Sequence, residues 1–277
     1  MTILFFANSN IDSKKILFPE LYLKARMLAI VLPEFDYELF SIFGKIEFMI
    51  KTPKAVIFDL DGTLLDSIED LMDSTNYALE SCGLEKISLE RTKQCVGNGI
   101  HKLAENAVPH GTDPQTVEKV FLALKTHYAQ STKPKTRPYE NVVELMELLE
   151  KNGIKTAIVS NKPDAQVKEL RDKFFMTVEK ELACGEKEGI KRKPAPDGLY
   201  RVMEKMNVTK DETVYVGDSE VDLQTAKNTG IECINVLWGF RDKEFLEKEW
   251  KRIFGKAPIF AENCAQIAQI LGLKKYD

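Results

Sequence analysis

Two aspartates stand two residues apart in VIFDLDGTLLDS, at residues 56–67. The apolar lead-in is typical of a buried strand, and residues two apart on a strand point to the same side. Asp59 and Asp61 are therefore expected to face one point, beside a turn at Gly62. Two carboxylates held this close repel each other and the pKa of one rises unless a cation lies between them, so the pair indicates a cation site.

Further polar side chains stand at the ends of later predicted strands or in a loop between two of them. They are Ser160, Asn161, Lys193, Asp218 and Asp222. Ligands of open parallel sheets bind outside the carboxyl ends of the strands, so these separate segments are expected to converge on one crevice. The crevice would hold four carboxylates, a hydroxyl, an amide and a lysine.

This combination of groups favours phosphoryl transfer. Carboxylate oxygens suit Mg²⁺, which takes one or two protein carboxylates together with a substrate phosphate. A lysine and a hydroxyl beside the metal can position a phosphoryl group and neutralise its charge. One carboxylate can attack to give an aspartyl-phosphate, and a second, two residues on, can protonate the leaving oxygen and later activate water.

Each motif alone has a simpler structural explanation. DLDGT (59–63) could be a strand that runs into a turn, and Ser160-Asn161 could be a turn after a strand. The run 191–193 could be a solvated charge cluster, and GDSEVD (217–222) could cap a helix. The four motifs in this order are far more specific than any one of them.

In the region after the first predicted strand, the role of one loop is open. The loop Gly97-Asn98-Gly99 either reaches the substrate or only separates two helices. The aromatic and methionine residues of this region, such as Met72, Phe121 and Tyr128, are expected in a core.

From residue 54 onward strand and helix patterns alternate, which favours an α/β fold with a parallel sheet. Strands are expected at 55–61, 155–161, 181–185, 213–218, 231–237 and 258–261, and helices at 139–151, 164–175, 197–206 and 220–228. A helical block lies between the first two strands, with helices near 88–96, 99–108 and 114–132 and a capping-box-like start at 67–70. We expect a Rossmann-like parallel sheet core, residues 49–65 and 138–277, with an inserted helical cap, residues 66–137.

Composition narrows the class of partner and the compartment. The net charge is −4 without a strongly basic block, which argues against a nucleic-acid surface and favours a small substrate. Five scattered cysteines indicate free thiols in a reducing cytoplasm. No apolar run near the N-terminus approaches the roughly 20 residues of a membrane span. A cytoplasmic monomer or homodimer is expected.

The first 48 residues stand apart from this pattern. They are rich in aromatic residues without a clean period, and Met49 is followed almost at once by the first predicted strand. We expect residues 1–48 to be an N-terminal extension that is not native, with Met49 as the physiological start. The alternative is a genuine helical segment that packs on the domain.

The motifs DLDGT, Ser160, Lys193 before Pro194, and GDSEVD resemble the four motifs of the haloacid dehalogenase superfamily of phosphatases. The helical insertion resembles the cap of that family. Four further segments are most similar to phosphoglycolate phosphatases: 96–103 (VGNGIHKL), 137–164, 193–197 (KPAPD) and 236–242 (VLWGFRD). Residues 1–48 lie outside the resemblance.

The resemblance implies a role for each site residue. Asp59 would be the nucleophile and Asp61 the general acid and base. Mg²⁺ would be held by Asp59, the Asp61 backbone carbonyl and Asp218, with Asp222 nearby, directly or through water. Ser160 and Lys193 would hold the phosphoryl oxygens, and Asn161 would assist them.

The resulting hypothesis is a Mg²⁺-dependent phosphatase that hydrolyses a small phosphomonoester, with 2-phosphoglycolate the leading candidate. The alternatives are a phosphosugar mutase of the same fold, a pyrophosphatase or nucleotidase, and a non-catalytic binding protein that keeps the fold. Retention of all the expected polar residues argues against the last of these.

Overall fold

The computed structural model describes residues 52–273. The predictions for residues 1–48 therefore lie outside the described part of the chain. Within residues 52–273 no helix has both the length and the apolar character that a bilayer crossing requires.

The described strands are numbered in chain order. They are β1 (Ala55–Phe58), β2 (Leu65–Asp66), β3 (Arg137–Pro138), β4 (Lys155–Pro163), β5 (Ala183–Glu186), β6 (Thr213–Gly217), β7 (Glu232–Val236) and β8 (Phe260–Ala261). Six of them form one parallel sheet in the order β5-β4-β1-β6-β7-β8, and β2 pairs with β3 in a separate antiparallel ribbon. The α/β fold with a parallel sheet is confirmed.

The described α-helices are also numbered in chain order. They are α1 (Ile68–Ser81), α2 (Leu89–Cys95), α3 (Gly99–Ala107), α4 (Pro114–Gln130), α5 (Val142–Lys151), α6 (Asp164–Phe174), α7 (Asp197–Met206), α8 (Glu220–Thr229), α9 (Lys243–Phe254) and α10 (Cys264–Ile270). Helices α1–α4 all fall between β2 and β3, whereas α5–α10 alternate with or follow the sheet strands.

The central strands explain where the polar residues meet. Strand β1 lies between β4 and β6, in a register that pairs Phe58 with Ile158 and with Val216. Every residue of β1 and β6 is buried, as expected for inner strands of a parallel sheet covered on both faces. The three strands end at the same edge, and the Asp59 N–H, just beyond β1, still donates to the Val216 carbonyl at 2.9 Å.

Helices α1–α4 have a hydrophobic core of their own. Its central side chains include Leu79, Leu103, Val120 and Leu124, which are at most 2% exposed. They form a cluster separate from the one around the sheet. The β2–β3 ribbon joins the two parts, and an ion pair between Asp66 and Arg137 at 3.2 Å spans its two strands.

Several local expectations differ from the structure. Strand β1 ends at Phe58, so Asp59 and Asp61 lie on the following loop and not on the strand itself. Ser67 precedes α1 but its side chain does not cap the helix; the hydroxyl donates to Asp61 instead. The predicted helix at 139–151 begins at Val142. Helices α9 and α10 were not predicted.

Candidate active site

Asp59 is a buried carboxylate paired with a buried lysine. It is 8% exposed, directly after β1, and Lys193 Nζ lies 2.7 Å from its Oδ1. Burial raises the pKa of Asp59 to about 7: desolvation outweighs the attraction of Lys193, and the nearby Asp222 adds repulsion. The site therefore holds more negative charge than the lysine neutralises.

Asp218 follows β6 and is wedged between two glycines. It accepts hydrogen bonds from Thr63 Oγ1 at 3.3 Å and from the Phe240 N–H at 2.8 Å. A Cβ at Gly62, where φ is +88°, would lie 2.3 Å from Asp218 Oδ2, and one at Gly239 would lie 2.3 Å from Asp218 Cβ. Both positions therefore require glycine. Burial, with repulsion from the neighbouring carboxylates, raises the pKa of Asp218 well above its ordinary value.

Asp222 is fully buried near the start of α8, and both of its oxygens accept hydrogen bonds. Oδ1 accepts from Tyr215 Oη at 2.7 Å and from Lys193 Nζ at 2.8 Å, and Oδ2 accepts from the Asp218 N–H and from both the N–H and the hydroxyl of Ser219. Although burial opposes it, the Lys193 charge and these hydrogen bonds hold the pKa of Asp222 below its ordinary value. Asp222 thus fixes both Lys193 and the turn that carries Asp218.

Asp59, Asp218 and Asp222 can each offer one oxygen such that all three atoms lie within 4.8 Å of one another. A set made only of carboxylate oxygens is what hard divalent cations such as Mg²⁺ prefer. The pKa values of Asp59 and Asp218 are raised first by burial and then by repulsion from neighbouring carboxylates, and a cation would relieve that repulsion. The residues present therefore fit a divalent metal.

Asp61 faces a different cation from the one that Asp59 faces. Lys162 Nζ donates to both of its carboxylate oxygens, at 2.9 and 2.8 Å, and Ser67 Oγ donates to Oδ1 at 2.5 Å. Lys162 is buried at the end of β4, directly after Ser160 and Asn161. The site therefore has two lysine–aspartate pairs, one on each of the two aspartates of DLDGT.

Ser160 and Asn161 lie beside Lys193 but differ in their free polar groups. Ser160 Oγ accepts a bond from the Lys162 N–H at 3.2 Å and keeps its own proton for another partner. Asn161 Oδ1 accepts from the Lys193 N–H at 2.8 Å, and its Nδ2 donates to the carbonyls of Lys193 and Gly97. Both amide hydrogens are engaged by these carbonyls, and assistance in phosphate binding stays a prediction for this side chain. In this structure it positions Lys193.

The helical insertion closes over this edge of the sheet through main-chain carbonyls. Arg241, in the loop after β7, donates to the carbonyls of Lys93 and Val96 at 2.6 and 2.8 Å and pairs with Glu220 at 2.8 Å. The Gly97 carbonyl accepts from Asn161, as described above. Of the two readings of the glycine loop at 97–99, the structure favours the one in which it reaches the site.

The comparisons with known proteins agree with this architecture. The family described as haloacid dehalogenase-like hydrolase matches residues 56–236. The chain belongs to that family. It is 32% identical over 202 residues to a phosphoglycolate phosphatase of Pseudomonas putida, covering 71% of this chain and 74% of that protein. It is 31% identical over 198 residues to phosphoglycolate phosphatase 1 of Pseudomonas aeruginosa, covering 70% and 72%.

A solved structure gives the same result for the hydrolase fold. A proposed phosphoglycolate phosphatase from Lactobacillus delbrueckii subsp. bulgaricus superposes with a TM-score of 0.73 at 33% sequence identity. The superposition covers 80% of this chain and 99% of that one. The suspected resemblance to haloacid dehalogenase-like hydrolases is confirmed.

Within this hydrolase the predicted site residues come together around one cleft. Those that line it are Asp59, Asp61, Ser160, Asn161, Lys193 and Asp218, while Asp222 lies behind them. Sequence reasoning missed Lys162 and Arg241 as site residues and assigned Tyr128 to the core. Tyr128 is buried, yet it also lines the cleft. The position of Lys162, directly after the polar end of β4, was the signal that could have identified it.

Proposed function

We propose that this hydrolase is a Mg²⁺-dependent phosphatase of small phosphomonoesters, and that 2-phosphoglycolate is its substrate, yielding glycolate and phosphate. The observation that carries the proposal is the cluster of buried carboxylates at the sheet edge with Lys193 2.7 Å from Asp59. The names of the relatives from two Pseudomonas species support the choice of substrate.

Asp59 is the proposed nucleophile because, of the two carboxylates that pair with Lys193, it is the one that lines the cleft. Its oxygen attacks phosphorus, the bond to the leaving oxygen breaks, and an aspartyl-phosphate forms. Lys193 and the free Ser160 proton hold the equatorial phosphoryl oxygens and offset their charge. Asp222 and Tyr215 keep the Lys193 ammonium at this point.

Asp61 is the proposed general acid and base, since it lines the same cleft two residues after Asp59. It protonates the leaving alcohol oxygen in the first step and takes a proton from water in the second, which releases phosphate and restores Asp59. Ser67, whose hydroxyl donates to Asp61, orients this carboxylate.

The proposed metal ligands are Asp59, the Asp61 backbone carbonyl and Asp218. When bound, Mg²⁺ supplies charge neutralisation for the phosphoryl group and for the clustered carboxylates. Asp222 stays a predicted ligand, although both of its oxygens already accept hydrogen bonds from protein groups.

The lining of the cleft argues against a phosphosugar mutase. The helical insertion contributes Leu71, Val96, Ile100, Leu103 and Tyr128, with the two loop glycines. A mutase has to grip a second phosphate and move protons on a sugar, and these side chains offer no charge for either task.

The test is phosphate release by the purified full-length protein, with and without Mg²⁺, on 2-phosphoglycolate, hexose phosphates, nucleoside monophosphates and pyrophosphate. A strong Mg²⁺-dependent preference for 2-phosphoglycolate is expected. Equal activity across the panel would contradict 2-phosphoglycolate as the preferred substrate but would leave the phosphatase reaction in place. Conversion of a hexose phosphate without phosphate release would identify a mutase instead.

A further inference from the structure

Lys162 is a buried cation in the cleft, and the proposed phosphoryl-transfer steps give it no role. Its side chain is 3% exposed, and its ammonium lies 4.7 Å from the centre of the Tyr128 ring. Burial alone would lower the pKa of Lys162, but Asp61 and Tyr128 outweigh it and the pKa lies above its ordinary value. The ammonium is held between the Asp61 carboxylate and the Tyr128 ring.

The position of Lys162 relative to Asp61 indicates which part of the substrate it meets. Asp61 delivers a proton to the leaving oxygen, so groups around Asp61 face the leaving alcohol. The phosphoryl side is already served by Lys193, which pairs with Asp59 and Asp222. Arg241, another cation of the cleft, is held by Glu220 and by two carbonyls of the helical insertion.

Both carboxylate oxygens of Asp61 accept from the Lys162 ammonium, at 2.9 and 2.8 Å, so Lys162 occupies the group that has to face the leaving oxygen. If a substrate carboxylate replaced Asp61 as the partner of Lys162, the ammonium would stay paired with one negative charge. The Asp61 oxygens would then be free to face the leaving oxygen.

We propose that Lys162, whose ammonium packs on the face of the Tyr128 ring, forms an anion subsite for a carboxylate on the leaving group. The site would thereby select phosphomonoesters of short hydroxy acids over uncharged alkyl phosphates. This inference rests on the proposed phosphatase function and explains how a cleft with an apolar cover distinguishes such a substrate. Lys162 acts as a specificity residue and does not contact the phosphorus.

The experiment compares 2-phosphoglycolate with ethyl phosphate, which is also the phosphate ester of a two-carbon chain but has a methyl group in place of the carboxylate. In the full-length wild type with Mg²⁺, kcat/KM should favour 2-phosphoglycolate by about 100-fold, the scale of a charge-assisted pair. In Lys162→Met this preference should fall to below about 5-fold, because kcat/KM should fall much further for 2-phosphoglycolate than for ethyl phosphate. Ethyl phosphate hydrolysis that is still measurable shows that the variant is folded.

Lys168→Met is the matched control. Lys168 lies six residues further along, pairs with Asp164 at 2.6 Å and does not line the cleft. It should keep the wild-type preference. If Lys162→Met also keeps it, the subsite is overturned.

Further outcomes separate this inference from the proposed function. Wild-type protein that hydrolyses both esters equally well would overturn the subsite and leave the phosphatase intact. Wild-type protein that releases phosphate from neither ester, nor from the wider panel, would overturn the function itself. If Lys162→Met does not fold, inhibition of wild-type ethyl phosphate hydrolysis decides. Glycolate should then inhibit at concentrations about tenfold lower than its neutral analogue glycolamide, and equal inhibition would overturn the subsite.

Discussion

The sheet edge and the helical insertion contribute different kinds of groups to the same cleft. The edge contributes charged side chains, among them Asp59, Asp61, Asp218 and Lys193, each within a few residues of a strand end or in the loop before α7. The insertion contributes apolar side chains and the main-chain carbonyls of Lys93, Val96 and Gly97.

Because of this difference, substitutions should have different consequences in the two parts. Charged groups at the edge need particular residue types, because a substitution leaves buried charges without partners. Carbonyl acceptors exist at every residue, so closure of the insertion depends mainly on the donors Arg241 and Asn161, which belong to the sheet part. The chemistry and much of the control over closure therefore reside in one half of the molecule.

The largest expected effect is that of Asp59→Asn at the sheet edge. Turnover should fall by about 10⁴-fold or more, the scale that follows loss of a covalent nucleophile. The neutral amide also removes one of three mutually repelling buried carboxylates, so the metal-free variant should unfold at a temperature no lower than that of the wild type. Phosphate release and thermal unfolding in EDTA measure the two effects.

Residual turnover in a clean preparation of Asp59→Asn above about 1% of wild type would contradict the nucleophile. A variant that has lost both activity and fold would be uninformative about chemistry, so the unfolding curve is the necessary control. Asp211→Asn, at an exposed position before β6, should change neither quantity.

The sheet part of the fold follows from its sequence more fully than the closure does. Inner strands such as β6 are short apolar runs followed by polar residues, and that signal is local. Helix α9 was missed because it buries only Leu246 and Trp250, which leaves a weak periodic signal, and α10 has only seven residues. The two-residue strands β2 and β3 exist only through pairing across the insertion.

The same distinction applies to the site. Residues at strand ends could be predicted because parallel strands finish at one edge. Lys162 meets Asp61 across 101 positions of sequence, and Arg241 meets Lys93 across 148. Such pairs depend on three-dimensional packing, and in the case of Arg241 the acceptor is a carbonyl that carries no sequence signal.

The second largest effect is expected from Asp218→Asn, which weakens the proposed metal site but keeps the shape of the side chain. We expect kcat to fall by about 10³-fold at ordinary Mg²⁺ concentrations, equivalent to about 4 kcal/mol. Titration with Mg²⁺ should show a higher half-saturating concentration than in the wild type. Wild-type affinity for Mg²⁺ in this variant would show that Asp218 is not a ligand.

Arg241→Met tests the closure of the helical insertion over the sheet edge, separately from the phosphoryl-transfer steps. Loss of two bonds to carbonyls of the helical insertion should favour its open arrangement and lower kcat/KM by about 10- to 50-fold. Amide exchange in residues 93–99 should become faster, whereas exchange in β1 and β6 should not change. Arg252→Met, at an exposed pair with Glu249, serves as the control. Unchanged exchange in residues 93–99 would refute the closure role.

The smallest effect is expected from Tyr128→Phe, which removes the hydroxyl of the ring on which Lys162 packs. Burial raises the pKa of the Tyr128 hydroxyl to about 12, so it stays neutral. The phenylalanine ring keeps the face that Lys162 contacts. Activity should therefore change by less than about 3-fold, and the free energy of unfolding should change by less than about 1 kcal/mol. A tenfold or greater loss of kcat/KM with the fold intact would mean that the insertion supplies a polar side chain to the substrate. That result would contradict the assignment of apolar side chains to the insertion and polar ones to the sheet edge.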